Sequence, residues 1–492
     1  MPTRAAYRSW VTPFGCFEAC DPAGLWQLVC TVCRQTVQGL KTRDRVALCG
    51  IAVSSIGCAA VCVGADGHVL YPLQLGDTAP ALFETYRREM GADRYYRMTG
   101  YPLESDNTAF QLARLRELDP LGYEQIAAVL SVADYINLKL TGLRAREFST
   151  AASMALWNYR DGTWWQEFLA AIELGPDVMG HPVPSGQLLG PVTAYAARET
   201  GWREGTPVYL GGHDYLCAAL AAGCITPGVL VNVSGTFDII AAFQNTAQPP
   251  PHRAEHRTIV DHHVVADVYS LMTEAVGGGQ AEWLRRGLLA PGADGDGGMS
   301  LVPWERLLDE IATLPPPFTD TCEIFMPHVF GQWSPARRDT AQGAYVGLTD
   351  NTTSASFLRA TILGVCFQAR HMIDALRPII PDMVGPLRVV GGGSRHPVWM
   401  QLKADTVGMA LSAPRVHEAS ALGAALLAGV GAGVYGGYDE AGAVSAGLGA
   451  DIYEPAPGTR ALYDDMYHTV YLFLLGVIRQ VDERLNRVVA PH

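Results

Sequence analysis

Short apolar runs alternate with longer stretches in which apolar positions recur at helical spacing. Arg45–Ser54 (RVALCGIAVS) is nearly continuous apolar sequence ending in a Ser/Gly turn, the pattern of a buried strand. Pro207–Gly212 predicts a short strand and Tyr215–Ala222 the helix after it. Val229–Ser234 and Phe237–Phe243 predict a hairpin closed at Gly235-Thr236. Ala355–Leu376 predicts a long helix, Leu387–Gly391 a buried strand, and Pro397–Met409 and Glu418–Ala428 the helices that follow. Ala113–Glu117 and Leu121–Leu130 also read as helix. Asp21-Pro22 opens a further helix, with Asp as N-cap and Pro at the first helical position. Strand–turn–helix order of this kind predicts an α/β fold of mostly parallel sheets with crossover helices. A domain change is expected at Thr226-Pro227-Gly228, dividing residues 1–226 from 227–492.

Composition narrows the partners. Of 492 residues, 49% are hydrophobic and 17% charged, the balance of a folded chain rather than a disordered one. The net charge of −13 argues against nucleic acid or an anionic membrane as the main partner, since both need basic surface. Backbone amides can still bind phosphate without net positive charge. The charge-free runs Val46–Ala65, Tyr215–Phe237 and Ala419–Tyr438 are interrupted by Ser, Gly or Thr-Pro-Gly, and read as buried elements rather than membrane spans. Eleven cysteines, an odd number, with no apolar leader after Met1-Pro2-Thr3-Arg4, fit a reducing cytoplasm. The one CxxC, Cys30–Cys33, falls on the helix opened by Asp21 without further ligands nearby, so structural thiols and no metal are expected.

Several signatures are absent or misplaced. There is no Walker P-loop, no GxSxG and no HExxH. The one GxGxxG, Gly431–Gly436, follows a helix and reads as a glycine-rich helix exit rather than a dinucleotide turn. Asp261-His262-His263 reads as a solvated turn. Three segments carry more. In Leu210-Gly211-Gly212-His213-Asp214-Tyr215 a strand ends in glycines and Asp214 starts an apolar helix, which places a carboxylate at a sheet edge where α/β proteins hold ligands. In Val233-Ser234-Gly235-Thr236-Phe237 a small polar turn offers backbone N–H groups and hydroxyls to a phosphate. In Val389-Val390-Gly391-Gly392-Gly393-Ser394 a strand runs into three glycines at a helix start, where free N–H groups face an anion or a flat ring.

Taken in order, these segments resemble the FGGY family of carbohydrate kinases, whose fold is that of actin, hexokinase and the Hsp70 ATPase. Gly391–Gln401 with Lys403-Ala404-Asp405 is similar to the family's adenosine motif, and Glu418–Ala425 to the segment after it. Gly211–Asp214 resembles the catalytic-aspartate loop, Ser234-Gly235-Thr236 the second phosphate loop, and Gly277-Gly278 ahead of Trp283-Leu284 a nucleotide-contacting turn. The likeness runs from about Phe17 to Ile478 and includes Phe325–His328, Gly331, Pro335, Gly343 and Gly347. It implies two actin-like, ribonuclease H-like α/β domains with a cleft between them: a sugar-binding domain over 1–226 with the catalytic Asp, and a nucleotide-binding domain over 227–492. It implies ATP and Mg²⁺, a small sugar or polyol as partner, and a homodimer left open.

The resemblance also implies roles. Asp214 would accept the proton of the sugar hydroxyl. Gly235 and Thr236 would hold the β- and γ-phosphates, Gly278 would contact the nucleotide, and Gly392, Gly393 and Ser394 would pack on adenosine and the α-phosphate. Gly57 and Cys58 lie where the family's sugar loop lies, and Asn107 and Tyr215 are further substrate candidates. Gln111 stands where many relatives carry lysine, and Ala79, after Asp77, where they carry arginine. Ketoses such as xylulose or fuculose are the expected substrates. Family members open with a strand–turn–strand bearing Asp-x-Gly-Thr, whereas here the first helix has begun by Asp21–Trp26, and the one Asp-Gly-Thr, Asp161–Thr163, is out of context. The first phosphate hairpin is therefore expected to be missing, through a start upstream of Met1; the alternative is a pseudokinase that binds sugar or nucleotide without transfer.

Overall fold

The computed structural model describes residues 8–12, 15–19, 21–41, 48–73, 80–247, 249–250, 257–289, 302–319 and 322–489. The fold is the expected α/β architecture, but its sheets are mixed rather than mostly parallel: four of the six pairings in the large sheet are antiparallel, because its first strands are joined by hairpins instead of crossover helices. A seven-stranded sheet fills the second half, in the order Ile259–His262, Tyr269–Val276, Phe237–Gln244, Leu230–Ser234, Leu387–Val390, Leu411–Pro414, Ala450–Tyr453. Leu230–Ser234 runs antiparallel to Phe237–Gln244 and parallel to Leu387–Val390. The turns after Ser234 and after Val390 therefore leave the sheet on the same edge, which is where ligands of such sheets lie.

The first half holds two three-stranded sheets, Leu188–Pro191/Pro207–His213/Ile51–Ser55 and Val69–Leu73/Ala60–Val63/Ala128–Ser131. Its first sheet repeats the pattern of the last three strands of the large one. Ile51–Ser55 is parallel to Pro207–His213, which is antiparallel to Leu188–Pro191; likewise Leu387–Val390, Leu411–Pro414 and Ala450–Tyr453. The large sheet continues past Leu387–Val390 to Leu230–Ser234. Ile51–Ser55 has one strand neighbour among the described residues, and all five of its residues are partly exposed. Near the start, Arg8–Thr12 and Gly15–Ala19 form an antiparallel hairpin paired only with itself. Pro13-Phe14 separates its strands in sequence, with no Asp between them.

Local chemistry sets the helix ends. The Asp21 carboxylate accepts from Ala23 N–H at 3.0 Å and Pro22 is the first residue of helix Pro22–Gly39, which buries Trp26 and Cys30. Helix Ser354–Leu376 begins in a capping box between Thr353 and Ser356. The apolar core does not divide at Thr226, because one cluster contains Leu216 and Leu220 together with Leu230, Val389 and Leu426. Helices Asp214–Ala221 and Ala419–Gly431 cross so closely that a Cβ on Gly423 would lie 1.9 Å from the Cys217 carbonyl oxygen.

Three expectations change. Leu121–Leu130 is not one helix: a turn capped by Asp119 ends at Tyr123, and Ala128–Ser131 is a fully buried strand paired with Ala60–Val63. A short apolar run is ambiguous by periodicity, and tertiary pairing decides it. Of Arg45–Ser54, only residues from Ile51 onward form the strand, while Arg45–Ala47 lie outside the described residues. Asp261-His262-His263 is no solvated turn; Ile259–His262 is an edge strand, and Asp261 and His263 are buried. Nine described cysteines, Cys30 and Cys33 among them, are free thiols. Among the described residues no group of three or more His, Cys, Asp or Glu is placed to hold a metal, and no helix is long and apolar enough to cross a membrane.

Candidate active site

Three glycine turns interlock at the edge of the large sheet. Gly391 has φ of +97°, and a Cβ there would lie 2.6 Å from the Ser234 carbonyl oxygen. A Cβ on Gly393 would lie 2.4 Å from Ser234 Oγ, and one on Gly278 2.6 Å from the Gly235 carbonyl oxygen. Gly278 N–H donates to Gly235 O at 2.9 Å, and Gly277 and Gly279 N–H donate to Thr236 O at 2.9 and 3.0 Å. Only glycine permits this approach. Ser234, Gly235, Thr236, Gly278, Gly392 and Gly393 together line a cleft of about 1160 Å³, whose other wall includes Trp304, Phe330 and Trp399. Ser394 belongs to the same turn but spends its hydroxyl on Gly391 O at 2.8 Å.

Asp214 is the first residue of its helix, directly after strand Pro207–His213. Its side chain is 47% exposed. Oδ1 accepts from Tyr215 N–H at 2.7 Å and lies 3.5 Å from His213 Nε2. The other face of the His213 ring is hydrogen-bonded through Nδ1 to Ser153 Oγ at 2.9 Å. Gly57 packs on this pair: a Cβ there would lie 2.3 Å from Ser153 Oγ and 2.7 Å from His213 Nδ1. Cys58 follows. Burial first, then the charges of Glu274, Asp214 and Asp261, push its thiol pKa far up, so it stays protonated and sits among carboxylates. Its carbonyl accepts from Thr108 Oγ1 at 3.2 Å, which brings Asn107 alongside.

Gly57, Cys58 and Asp214 are thus brought together. Asn107 is adjacent, with its amide committed to Pro102 O at 2.8 Å and Tyr95 Oη at 3.2 Å. Tyr215 points elsewhere: it is buried, its hydroxyl donates to Asp261 Oδ2 at 2.8 Å, and it lies 2.6 Å from Ser270 Oγ. Gln111 is buried and donates to Asp106 O at 2.8 Å; Asp77 and Ala79 lie outside the described residues. Asp161-Gly162-Thr163 forms a tight loop, with Gly162 at φ +62° and Asn158 Nδ2 donating to Asp161 Oδ2 at 2.7 Å.

Two polar seams join the halves beside this site. Strand Ile259–His262 and its lead-in are tied to the first half by six hydrogen bonds. They are Tyr96 Oη to Thr258 Oγ1, Val260 N–H to Gly100 O, Tyr159 Oη to Val260 O, Tyr101 and Tyr215 hydroxyls to Asp261, and Trp157 Nε1 to His262 Nε2. Burial lowers the pKa of the His262 ring to about 4. In the second seam Arg257 grips Glu104 with Nε and Nη2 at 2.6 and 2.7 Å and reaches Glu274 at 3.1 Å. Arg337 bonds Glu104 at 2.7 Å and Asp106 at 3.0 Å. Burial works to raise the Glu104 pKa, but Arg257 and then Arg337 outweigh it and hold the carboxyl below its usual range. Sequence reading missed this cluster, because Glu104 lies 153 and 233 positions from its partners and no local pattern marks it.

Comparison with known proteins agrees with this geometry. The N-terminal domain model of the FGGY family of carbohydrate kinases matches residues 12–221, and the C-terminal domain model matches residues 232–432. An L-xylulose/3-keto-L-gulonate kinase of Escherichia coli (strain K12) is 29% identical over 441 residues, covering 86% of this chain and 81% of the relative. An L-fuculokinase of Salmonella typhi is 26% identical over 398 residues, covering 80% and 79%. The crystal structure of a xylulose kinase from Rhodospirillum rubrum superposes with a TM-score of 0.79 at 26% identity, covering 96% of this chain and 93% of that one. With both domain models matched in order and the fold shared with a sugar kinase, the chain belongs to the FGGY family of carbohydrate kinases.

Proposed function

We propose that this kinase transfers the γ-phosphoryl group of ATP to a hydroxyl of a ketose or polyol seated at Gly57-Cys58, with Asp214 as general base. The observation that carries the reading is the half-exposed Asp214 carboxylate at a helix start, beside the His213 ring on which Gly57 packs, in a chain that also builds a glycine-walled cleft. Xylulose- and fuculose-type ketoses come first among substrates, since relatives bear those names.

The chemistry asks mainly for positioning and charge neutralisation, because phosphoryl transfer has a loose transition state. The Tyr215 N–H occupies one lobe of Asp214 Oδ1, which leaves Oδ2 to take the proton as the sugar oxygen forms its bond to phosphorus. The phosphorus–oxygen bond to the ADP leaving group breaks, and the proton ends on Asp214. His213, clamped by Ser153, orients the carboxylate from the side. Thr236 N–H would hold the β- and γ-phosphates over the turn that Gly235 closes with its own N–H to Phe237 O at 2.8 Å, Gly278 would contact the nucleotide, and Gly392 and Gly393 would lie under adenosine and the α-phosphate. Ser394 shapes this last turn through its bond to Gly391 O. The cleft fits a nucleotide in size and lining: it holds about 1160 Å³ between the Gly235, Gly278 and Gly392-Gly393 turns and the rings of Trp304 and Trp399. When bound, Mg²⁺ would supply charge neutralisation to the transferring phosphoryl group.

The test is sugar-dependent ADP release by the full chain over a panel of ketoses and polyols. Asp214→Asn should lower turnover by roughly 10²–10⁴-fold with ADP affinity retained. Turnover in Asp214→Asn equal to wild type would refute the assignment of the base. Sugar binding with no turnover on any substrate would identify a pseudokinase instead.

A further inference from the structure

A buried cation lies beneath the phosphate hairpin. Of 36 Lys and Arg residues only three are lysines, Lys41, Lys139 and Lys403, so arginine is this chain's ordinary cation. Lys403 is 1% exposed. Helix Pro397–Val407 carries it under strand Leu230–Ser234, where Nζ donates to Asn232 Oδ1 at 2.7 Å, Asp238 Oδ2 at 3.1 Å and Ser234 Oγ at 3.3 Å. Three oxygens converging on one point suit a compact ammonium rather than a planar guanidinium.

The position matters more than the pairing. Ser234 is the residue on which Gly391 and Gly393 close. Asp238 backs the third turn: its carboxyl carbon lies 2.8 Å from where a Cβ on Gly277 would be. Asp238 Oδ1 is buried with no hydrogen-bond partner among the described residues. The ion pair therefore sits under all three turns, its positive end against Ser234 and its negative end behind Gly277. Both ends are shielded from water, so neither is screened as a surface charge would be.

We propose that Lys403 sets the affinity of this cleft for the phosphate groups of its nucleotide, acting through Ser234, and that Asp238 is the counter-charge that limits it. This rests on reading the cleft as the nucleotide site and adds to that reading a positioning residue beyond the glycine turns. If Lys403 were only a structural staple, its loss would weaken adenosine and ADP alike, and losing Asp238 would act in the same direction. An electrostatic role makes the effect grow with the number of phosphates and gives the two partners opposite signs.

The experiment is calorimetric titration of the full chain with adenosine, AMP and ADP. Lys403→Met should raise the ADP dissociation constant roughly tenfold, AMP less, and leave adenosine within about twofold. Asp238→Asn should tighten ADP. Ser234→Ala keeps the ion pair but cuts its link to the turn, and should weaken ADP without weakening adenosine. That variant and Asp238→Asn decide the matter should the Lys403→Met protein fail to fold. Equal losses for adenosine and ADP, or losses of the same sign in Lys403→Met and Asp238→Asn, overturn the proposal while leaving the nucleotide site intact. A wild-type protein with no ADP affinity removes both.

Discussion

Replacing Glu104 with Gln tests how firmly the two halves are joined. Glu104 is met by Arg257 at 2.6 and 2.7 Å and by Arg337 at 2.7 Å, and the three side chains are 13%, 7% and 18% exposed. Gln keeps the shape and removes the charge. Arg257 would retain Glu274, and Arg337 would retain Asp106 and Asp339, so the loss falls at the low end for a broken buried pair, about 3 kcal/mol. An unfolding entropy of about 2.1 cal/mol/K per residue over 492 residues is ~1 kcal/mol/K, so Tm should drop by ~3 °C if the chain melts as one unit. Differential scanning calorimetry at pH 7 reads this directly. Asp451→Asn, which breaks the exposed pair with Arg415, is the control and should leave Tm unchanged. Glu104 is held below its unfolded pKa, so its stabilisation is full above about pH 4.3 and fades as pH falls through the lower native value. The gap between wild type and variant should therefore be widest near neutrality and narrow in acid. A Glu104→Gln protein that melts with wild type at pH 7 would refute the reasoning.

Three further outcomes follow from named contacts. Tyr215→Phe should cost about 1–3 kcal/mol, because Asp261 loses one of its two tyrosine donors, with KM for the sugar unchanged; a raised KM at unaltered Tm would put the hydroxyl on substrate. Gly423→Ala should lower Tm through overpacking of at least about 1–3 kcal/mol, since the new Cβ would fall 1.9 Å from Cys217 O; a normal melt would mean the helices separate freely. Iodoacetamide at pH 8 followed by peptide mass spectrometry should label exposed Cys49 and Cys322 and spare Cys58, whose thiolate is suppressed by burial and carboxylates; comparable labelling of Cys58 would contradict its described surroundings.

What was legible in the sequence was local. The hairpin around Gly235-Thr236 and the turn after Val390 are coded by contiguous residues: apolar runs, then glycines, of which Gly391 and Gly393 have no room for a side chain. Asp214 was legible for the same reason, as a strand end, two glycines and an acid ahead of an apolar helix. Misreadings arose where a distant partner decides. Ala128–Ser131 becomes a strand only because Ala60–Val63 offers it an edge. Asp261 is polar by composition but buried because two tyrosines reach it from the other half. Tyr215 follows Asp214 in sequence, yet adjacent residues at a helix start diverge in direction, and its ring faces the large sheet.

The seam along Ile259–His262 has a mechanical consequence. That strand is the outermost of the large sheet and is pinned to the first half, so in any rotation of the halves it would be the fulcrum and the remaining strands the lever arm. At about 4.8 Å between neighbours, Leu230–Ser234 stands three places and ~14 Å from the pin, and Leu387–Val390 four places and ~19 Å. A swing of about 10° would carry the Ser234 turn ~2.5 Å and the Gly391 turn ~3 Å, and would have to shear the core that helix Asp214–Ala221 shares with Leu230 and Val389. The largest displacement would thereby fall at the glycine turns that line the cleft.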